Sequence, residues 1–156
     1  LRGARTYFSP IDKQTEAAFD ALWRDLLGGT EETGATLEVQ GRKMRFACAA
    51  GGMLRTSFAS LCDQALGAQD YAALTARFHT LFLEGVPKLT PERKNPAVRF
   101  RILIDELYEA GTKLVVLAAA EPDELNAQTS GAFEFERTAS RLHEMRSADY
   151  LQRVRD

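Results

Sequence analysis

Two short apolar runs on either side of one helical segment constrain the fold of this chain more than any other feature of its sequence. The first run has four apolar side chains within residues 78–83 and stops at Glu84, and the second is seven apolar residues long, from 114 to 120. Runs of this kind are typical of strands buried on both faces, as a parallel sheet requires. The sequence therefore predicts parallel strands at 80–84 and 114–119, adjacent or one strand apart in the same sheet.

The segment between these runs has the pattern of an amphipathic helix. Asn95 and Pro96 predict its N-cap and first helical position, and Gly111 predicts its end. Its apolar face recurs at a spacing of three and four residues, at Phe100, Leu103, Ile104, Leu107 and Tyr108. A strand, a helix and a parallel strand form a right-handed crossover, and ligands of open α/β sheets bind at the carboxyl ends of the strands. We therefore look for function first at residues 84–85 and 119–122.

The N-terminal part of the chain predicts a helix and a β-hairpin. Apolar residues between positions 15 and 26 fall on one face of a helix that ends at Gly28. Apolar and polar residues alternate at 37–39 and 44–48, with a turn between them, and residues 49–52 predict a second turn.

The rest of the chain continues without a linker-like change in composition. Its hydrophobic pattern predicts a third strand at 54–58, helices at 60–62 and 69–77, and a helical turn at 122–125. A loop at 127–131 and helices at 135–145 and 147–154 follow. We therefore expect one domain over residues 1–156. Its fold class is α/β, with a small, mostly parallel sheet flanked by helices, preceded by the N-terminal helix and β-hairpin.

Composition and charge narrow the classes of partner. The formal net charge is −2, from 20 basic and 22 acidic residues that are interspersed, so we expect neither nucleic-acid binding nor attraction to an anionic membrane. No apolar stretch is long enough to span a bilayer. Cys48 and Cys62 lie in apolar contexts, which favours buried thiols in a reducing, cytoplasmic setting. The chain begins without methionine, which predicts that it is part of a longer protein.

No motif for phosphate, metal or nucleophilic chemistry is evident. Neither Gly28-Gly29 nor Gly51-Gly52 is followed by the lysine and helix of a phosphate loop. His79 and His143 are the only histidines, and neither has a second ligand at helical spacing, so no metal site is expected. No serine or cysteine lies in a nucleophile elbow.

Three charged residues remain as candidates. Glu84 ends an apolar strand, as a Mg²⁺-binding acid does in nucleotide hydrolases, but Gly85 follows where a second acid is needed, which favours a structural or vestigial role. Arg137 and Arg141 lie four residues apart on one helix face and form a pair that can clamp a phosphate or a neighbour's carboxylate. The alternative is local pairing with glutamates of the same helix on a solvated face.

An ordered set of segments extends over nearly the whole chain and carries a family resemblance. The segments are 7–10, 58–62, 69–71, 78–80, 86–87, 99–109, 113–116, 133–145 and 147–151. Together they resemble the C-terminal part of the ZapE-type ATPases, P-loop AAA+ proteins that are bacterial cell-division relatives of the mitochondrial "ATPase family gene" proteins. The resemblance implies a parent that hydrolyses ATP with Mg²⁺, through Walker A and Walker B motifs located before Leu1.

The resemblance also implies partners and a role. The parent would act in the cytoplasm at the division site on the tubulin-like protein FtsZ, or in mitochondria on misfolded or surplus proteins. This chain would be its non-catalytic module, inactive alone and without a cofactor of its own, contacting the catalytic half of the same polypeptide, neighbouring subunits or a substrate protein. Glu84 then resembles a vestigial Walker B acid, and Ala119 stands where a sensor asparagine would fall, as in a degenerate P-loop-like βαβ unit. A stand-alone interaction adaptor without any nucleotide role is the alternative.

Overall fold

The two apolar runs form neighbouring parallel strands in the computed structural model, which describes residues 4–128 and 131–153. The described residues contain these strands: β1 (Tyr7–Phe8), β2 (Ala35–Val39), β3 (Arg42–Phe46), β4 (Cys48–Ala50), β5 (Met53–Ser57), β6 (Thr80–Val86) and β7 (Lys113–Ala118). Strands β6 and β7 pair in parallel, with Leu81 opposite Leu114 and Leu83 opposite Val116. The predicted parallel pair is therefore confirmed, and the two strands are adjacent.

The main sheet has five strands in the order β1-β7-β6-β5-β4, and only β4 runs antiparallel to its neighbour. Strands β2 and β3 form a separate antiparallel sheet joined by the two-residue turn Gln40-Gly41. Both features confirm the predicted fold class, an α/β domain with a mostly parallel sheet and a β-hairpin. Because four strands are parallel, their carboxyl ends lie along one edge of the sheet.

Helices cover both faces of this sheet. In the described residues they are α1 (Lys13–Leu27), α2 (Phe58–Cys62), α3 (Ala68–Arg77), α4 (Lys94–Ala110), α5 (Pro122–Leu125), α6 (Ala132–Met145) and α7 (Ala148–Arg153). On one face, Phe19 and Trp23 of α1 pack against Phe82 of β6. The opposite face carries a larger apolar core, to which α2, α3, α4, α6 and α7 all contribute.

Local sequence explains where α1 begins and ends. Asp12 is its N-cap: its carboxylate accepts a hydrogen bond from the Thr15 backbone N–H, and the Thr15 hydroxyl accepts one from the Asp12 backbone N–H, both at 2.9 Å. This reciprocal arrangement satisfies two backbone donors that the first turn would otherwise leave free. Gly28 then ends the helix with φ 56°, a left-handed conformation that glycine adopts without a steric penalty.

Four of the predicted boundaries are wrong. Cys48, expected at the end of the second hairpin strand, instead starts β4, because β3 ends at Phe46. Helix α4 begins at Lys94, after a 3₁₀ turn, so Asn95 lies inside its first turn and is not the N-cap. Pro96 is tolerated there because the first backbone N–H groups of a helix have no partner within it. Residues 49–50 belong to strand β4, so only Gly51-Gly52 turns the chain. Phe58 starts α2 instead of ending β5, because the Ser57 hydroxyl accepts from the Ser60 backbone N–H and caps that helix.

The last predicted elements lie partly outside the described residues. The loop predicted at 127–131 is described at 127, 128 and 131, and Val154, the final position predicted for the closing helix, lies outside. The helix predicted at 135–145 is confirmed as α6. Ser147 caps α7 through a 3.1 Å hydrogen bond that its hydroxyl accepts from the Tyr150 backbone N–H.

Candidate functional site

The candidate residue Glu84 lies at the carboxyl end of β6, where an ion pair holds it. Its two carboxylate oxygens face the Arg55 guanidinium, which donates to Oε1 from Nε and to Oε2 from Nη2, each at 3.3 Å. Gly85 follows with φ 72°, where the register with β7 shifts. Because both carboxylate oxygens are bound to an arginine, this acid does not offer a Mg²⁺ ion a free pair of ligands. Its interpretation as a vestigial Walker B acid stays a prediction.

The Arg55 side chain continues this ion pair to the helix on the same face. It is 18% exposed, and its Nη1 donates to Oδ1 of Asp20 at 2.8 Å. Asp20 in turn accepts from Arg24, one helical turn later, at 2.7 Å. Hydrogen bonds from Arg55 and then Arg24 lower the pKa of the Asp20 carboxyl. This chain of charges joins α1 to β5 and β6 and is the main polar feature of the carboxyl edge on that face.

A second polar cluster lies at the carboxyl ends of β1 and β7, around Glu121. The Ser9 hydroxyl donates to Glu121 Oε2 at 2.5 Å, and Arg146 Nη1 donates to Oε1 at 3.0 Å. The hydrogen bond from Ser9, followed by that from Arg146, lowers the pKa of Glu121. The Tyr7 hydroxyl donates to the Ala120 carbonyl at 2.7 Å, and burial raises the pKa of this phenol. Glu121 therefore joins the ends of two strands to the segment that follows α6.

Replacing Glu121 by glutamine is expected to lower the melting temperature at neutral pH, since the amide keeps the shape but loses the charge that Ser9 and Arg146 bind. The folded-state pKa of Glu121 lies below its ordinary value of 4.5. The carboxylate's contribution is therefore complete above that ordinary value and is lost as the pH falls through the folded-state pKa.

The difference in melting temperature between wild type and Glu121→Gln should accordingly be constant from neutral pH down to about 4.5 and shrink as the pH falls below that value. Glu124→Gln is the matched control, because Glu124 is exposed and makes no ion pair within the described residues. A difference for Glu121→Gln that stays constant below pH 4.5 as well would contradict the role of its charge.

Arg141 lies between α6 and α4, where it binds two acids of the neighbouring helix. Its Nη1 donates to Asp105 Oδ1 at 2.5 Å and its Nη2 to Glu109 Oε1 at 3.3 Å. The guanidinium also lies over the Tyr108 ring, 4.6 Å from its centroid, and the side chain is 15% exposed. The carboxylates that bind Arg141 therefore belong to α4 and not to its own helix. A contact of Arg141 with nucleotide or with an interface stays a prediction.

Arg137 has a different environment, although it lies one turn before Arg141 on the same helix. It is exposed, and it makes no ion pair within residues 4–128 and 131–153. One turn earlier lies Phe133, which is 81% exposed. Both side chains line an open groove of about 360 Å³, together with Arg101, Asp105, Glu134, Glu136 and Thr138.

Sequence reasoning missed Phe133 as a candidate, although a signal was present. Phe133 and Phe135 are two residues apart, which is about 200° around a helix of 3.6 residues per turn. Phe135 is 5% exposed and belongs to the core, so Phe133 has to face away from it. Phe133 and Arg137 are four residues apart and therefore neighbours on the helix surface. An exposed aromatic side chain beside a cation that has no ion-pair partner in the described part of the chain is the most distinctive exposed feature of α6.

The glycine pairs do not have the geometry of a phosphate site. Gly28-Gly29 follows the end of α1, and Gly51-Gly52 turns the chain between β4 and β5. A Cβ atom added at Gly52 would lie 2.2 Å from Cδ2 of His79, so a close side chain explains this glycine. The described part of the chain also contains no group of three His, Cys, Asp or Glu side chains that could hold a metal ion. These residues do not fit an ATP–Mg²⁺ site.

Fold and site together define an α/β domain with a mostly parallel sheet. At the carboxyl edge of this sheet, Glu84 and Glu121 are each bound to an arginine. The AFG1-like ATPase family model matches residues 1–154. This chain therefore belongs to the AFG1-like ATPase family, and its predicted resemblance to the ZapE-type members is confirmed.

Two curated relatives show how much of such a protein the chain covers. It is 40% identical over 153 residues to the cell division protein ZapE of Escherichia coli (strain K12), an alignment that covers 98% of this chain and 41% of ZapE. It is 30% identical over 180 residues to lactation elevated protein 1 homolog B of Danio rerio, which covers 94% of this chain and 36% of that protein. The chain thus spans well under half the length of either relative.

Two further findings concern solved structures and the length of the helices. No solved structure gives a significant match to this chain. Within the described residues, no helix combines the length and the apolar character that crossing a bilayer requires.

Proposed function

We propose that this chain is the C-terminal, non-catalytic module of a ZapE-like, ATP-hydrolysing protein of cell division in the cytoplasm. The family match and the 40% identity to a cell division protein over 98% of the chain support this proposal. ATP and Mg²⁺ would be held by Walker A and Walker B motifs in the other part of such a protein. The glycine turns and the Arg55-bound Glu84 described above fit a module that does not itself hold nucleotide.

The module's role is contact through the exposed face of α6, and the observation that carries this role is Phe133 at 81% exposure. Large exposed aromatic side chains and arginines are enriched at protein interfaces and dominate their energetics. Arg137 supplies the arginine one turn away, and its charge has no partner among the described residues.

Helix α6 can present these two residues rigidly, because its opposite face is buried. Phe135, Ala139, Leu142 and Met145 belong to the main apolar core. A contact residue on a packed helix is held more precisely than one on a loop. The partner is the catalytic half of the same polypeptide, a neighbouring subunit, or a substrate protein such as FtsZ.

Phe133→Ser in the full-length protein is the direct test, because it removes the aromatic contact without touching the core. Loss of an interface hot spot weakens association by about 2 kcal/mol, or roughly thirty-fold. We expect ATP turnover or subunit association to fall by at least ten-fold while the melting temperature is unchanged. Turnover, sedimentation velocity and thermal unfolding are measured on the same preparations.

Val98→Ser is the matched control for this variant. Val98 is an exposed apolar residue of another helix, at 37% exposure, and it lines no part of the Phe133 groove. We expect it to leave turnover and association unchanged. If the two variants behave alike, Phe133 is not a contact residue and the proposed role of α6 is wrong.

The chain by itself is expected not to bind Mg-ATP in the low-micromolar range, because its described residues form neither a phosphate loop nor a metal site. Isothermal calorimetry of the chain with Mg-ATP checks this, with the full-length protein as the positive control. Low-micromolar binding to the chain alone would contradict a non-catalytic module. A full-length protein without ATP turnover would instead favour the interaction adaptor.

A further inference from the structure

Strand β3 has an edge that no other strand covers in the described part of the chain. It pairs with β2 on one side, from Arg42 opposite Val39 to Phe46 opposite Ala35. The sheet has only these two strands, so the other side of β3 has no strand partner among the described residues. A strand edge of this kind presents backbone N–H and C=O groups that can pair with another extended chain.

An open groove of about 270 Å³ runs along this edge. One wall is formed by the four consecutive β3 residues 43–46, and the other by Ser60, Gln64 and Leu66, within and just after α2. Successive side chains of a strand point to opposite faces. A groove that touches four residues in a row therefore follows the backbone of the strand and not one of its faces.

The two faces of β3 differ in chemistry along this groove. Lys43 and Arg45 share one face, are exposed, and make no ion pair within residues 4–128 and 131–153. Met44 and Phe46 share the other face, are half-buried, and pack against the main core. By contrast, Arg42 at the start of the strand is bound to the buried carboxylate of Asp70. The edge therefore combines two cations that make no ion pair among the described residues, on one face, with two apolar side chains on the other.

We infer that the β3 edge binds an extended segment of a partner protein in which acidic and apolar residues alternate. A strand added to this edge places every second side chain beside Lys43 and Arg45, where carboxylates are favoured. The intervening side chains lie beside Met44, Phe46 and Leu66, where apolar groups are favoured. Backbone hydrogen bonds supply affinity in this mode of recognition, and alternate side chains supply specificity.

Charge and composition favour an acidic and apolar segment over two other occupants of the groove, a second copy of this chain and a nucleic acid. If a second copy of this chain paired its own β3 with this edge, Lys43 and Arg45 of both copies would meet on adjoining strands, and like charges across strands are destabilising. Nucleic-acid binding relies on many phosphate contacts, whereas the groove offers two cations in a chain of net charge −2. This inference concerns a surface separate from Phe133 and Arg137 and does not depend on the proposed function.

The test measures, by fluorescence anisotropy, the binding of a peptide to the 156-residue chain. The peptide is a fluorescein-labelled, amidated octapeptide of four Glu-Val repeats. We expect saturable binding at least ten-fold tighter than that of a peptide with the same composition in two blocks, four Glu followed by four Val. An alternating Lys-Val octapeptide is expected not to bind. Equal binding of the alternating and the block peptides would overturn the inference, because it would show charge attraction without strand pairing.

Two double variants separate the β3 edge from charge in general. Lys43→Glu with Arg45→Glu is expected to weaken binding of the Glu-Val peptide at least ten-fold. Lys88→Glu with Lys94→Glu makes the same change in net charge at two exposed lysines outside the groove, and should change binding less than two-fold. Equal losses in both double variants would overturn the inference.

Peptide backbone methylation tests strand pairing without altering the protein. In a paired strand, the backbone N–H groups of alternate residues point to the same side. N-methylation of either the four Glu or the four Val should therefore weaken binding at least ten-fold, and methylation of the other set should change it less than three-fold. Equal effects of the two methylations would exclude pairing at an edge.

Two further measurements address the other occupants directly. Sedimentation velocity of the chain alone should show a monomer, and a dimer that the neutral double variant Lys43→Ser with Arg45→Ser stabilises would assign the edge to self-pairing, because that change removes the repulsion between the two copies. A fifteen-residue oligothymidine should not displace the peptide. Displacement by this oligonucleotide, abolished by the same double variant, would assign the groove to nucleic acid and overturn the inference.

Discussion

Replacing Phe82 by alanine is expected to lower the free energy of unfolding by about 3–5 kcal/mol, the usual range for a buried phenylalanine. Phe82 is fully buried in β6, in the middle of the parallel sheet. Its ring lies edge-on to those of Phe19 at 5.4 Å and Trp23 at 5.0 Å, measured between centroids. Its removal leaves a cavity where α1 packs on the sheet, and both aromatic partners lose their contact. Urea unfolding followed by tryptophan fluorescence and by circular dichroism measures the effect.

Phe133→Ala is the matched control, since it makes the same chemical change at a side chain that is 81% exposed. Exposed substitutions of this kind usually change stability by less than about 0.5 kcal/mol. We therefore expect the two variants to differ by several kcal/mol. Similar values for Phe82→Ala and Phe133→Ala would contradict the packing of α1 against β6.

Arg141→Ala and Arg137→Ala are expected to have opposite signatures in the full-length protein. Arg141 joins α6 to Asp105 and Glu109 of α4, and hydrogen bonds to charged groups contribute about 1.5–3 kcal/mol each where they are protected from solvent. Both acids are more than a third exposed, so we expect each bond to contribute less than that range, about 1 kcal/mol or less. Arg141→Ala should lower the melting temperature, and turnover should fall with it.

Arg137→Ala should leave the melting temperature unchanged, because the exposed Arg137 makes no ion pair within the described residues. If Arg137 contacts a partner, turnover should fall by roughly ten-fold, the effect of about 1.4 kcal/mol. A fall of roughly 10³ to 10⁵ with unchanged folding would instead place the arginine at the reacting phosphate, where a direct arginine has an effect of that size. An unchanged turnover would exclude both roles.

Arg141→Lys completes this comparison, because lysine keeps the charge but lacks the planar fork that reaches two carboxylates. We expect it to recover part of the stability that Arg141→Ala loses. Full recovery of turnover together with partial recovery of stability would show that Arg141 acts through the fold. A lysine variant with normal stability and a collapsed turnover would contradict this structural role.

The elements that follow from local pattern were predictable. Seven consecutive apolar residues are typical of a strand that is buried on both faces, which is why β7 was expected in a parallel sheet. Gly28 and Gly111 end α1 and α4 in the left-handed conformation that this residue type favours. Two alternating runs separated by Gln40-Gly41-Arg42 predicted the β2–β3 hairpin. In each case the structural determinant lies within a few residues of the element it defines.

The candidate site was predictable only as positions. The end of an apolar strand identified Glu84, and a spacing of four residues placed Arg137 and Arg141 on one helix face. The partners were not predictable, because Arg55 and Glu84 are 29 positions apart in sequence and Asp105 and Arg141 are 36 apart. Their meeting depends on which strands are neighbours and how α4 packs against α6.

The sequence by itself determined the class of most elements, though not that of β4, and the parallel βαβ unit, because hydrophobic period and turn chemistry act over a few residues. Only the tertiary structure decided that an arginine binds both oxygens of Glu84, that Arg141 is turned toward α4 while Arg137 is exposed, and that one edge of β3 has no strand partner in the described chain. The physical reason is that ion pairs and strand edges depend on distances between segments remote in sequence. Those distances are set by the packing of the whole core.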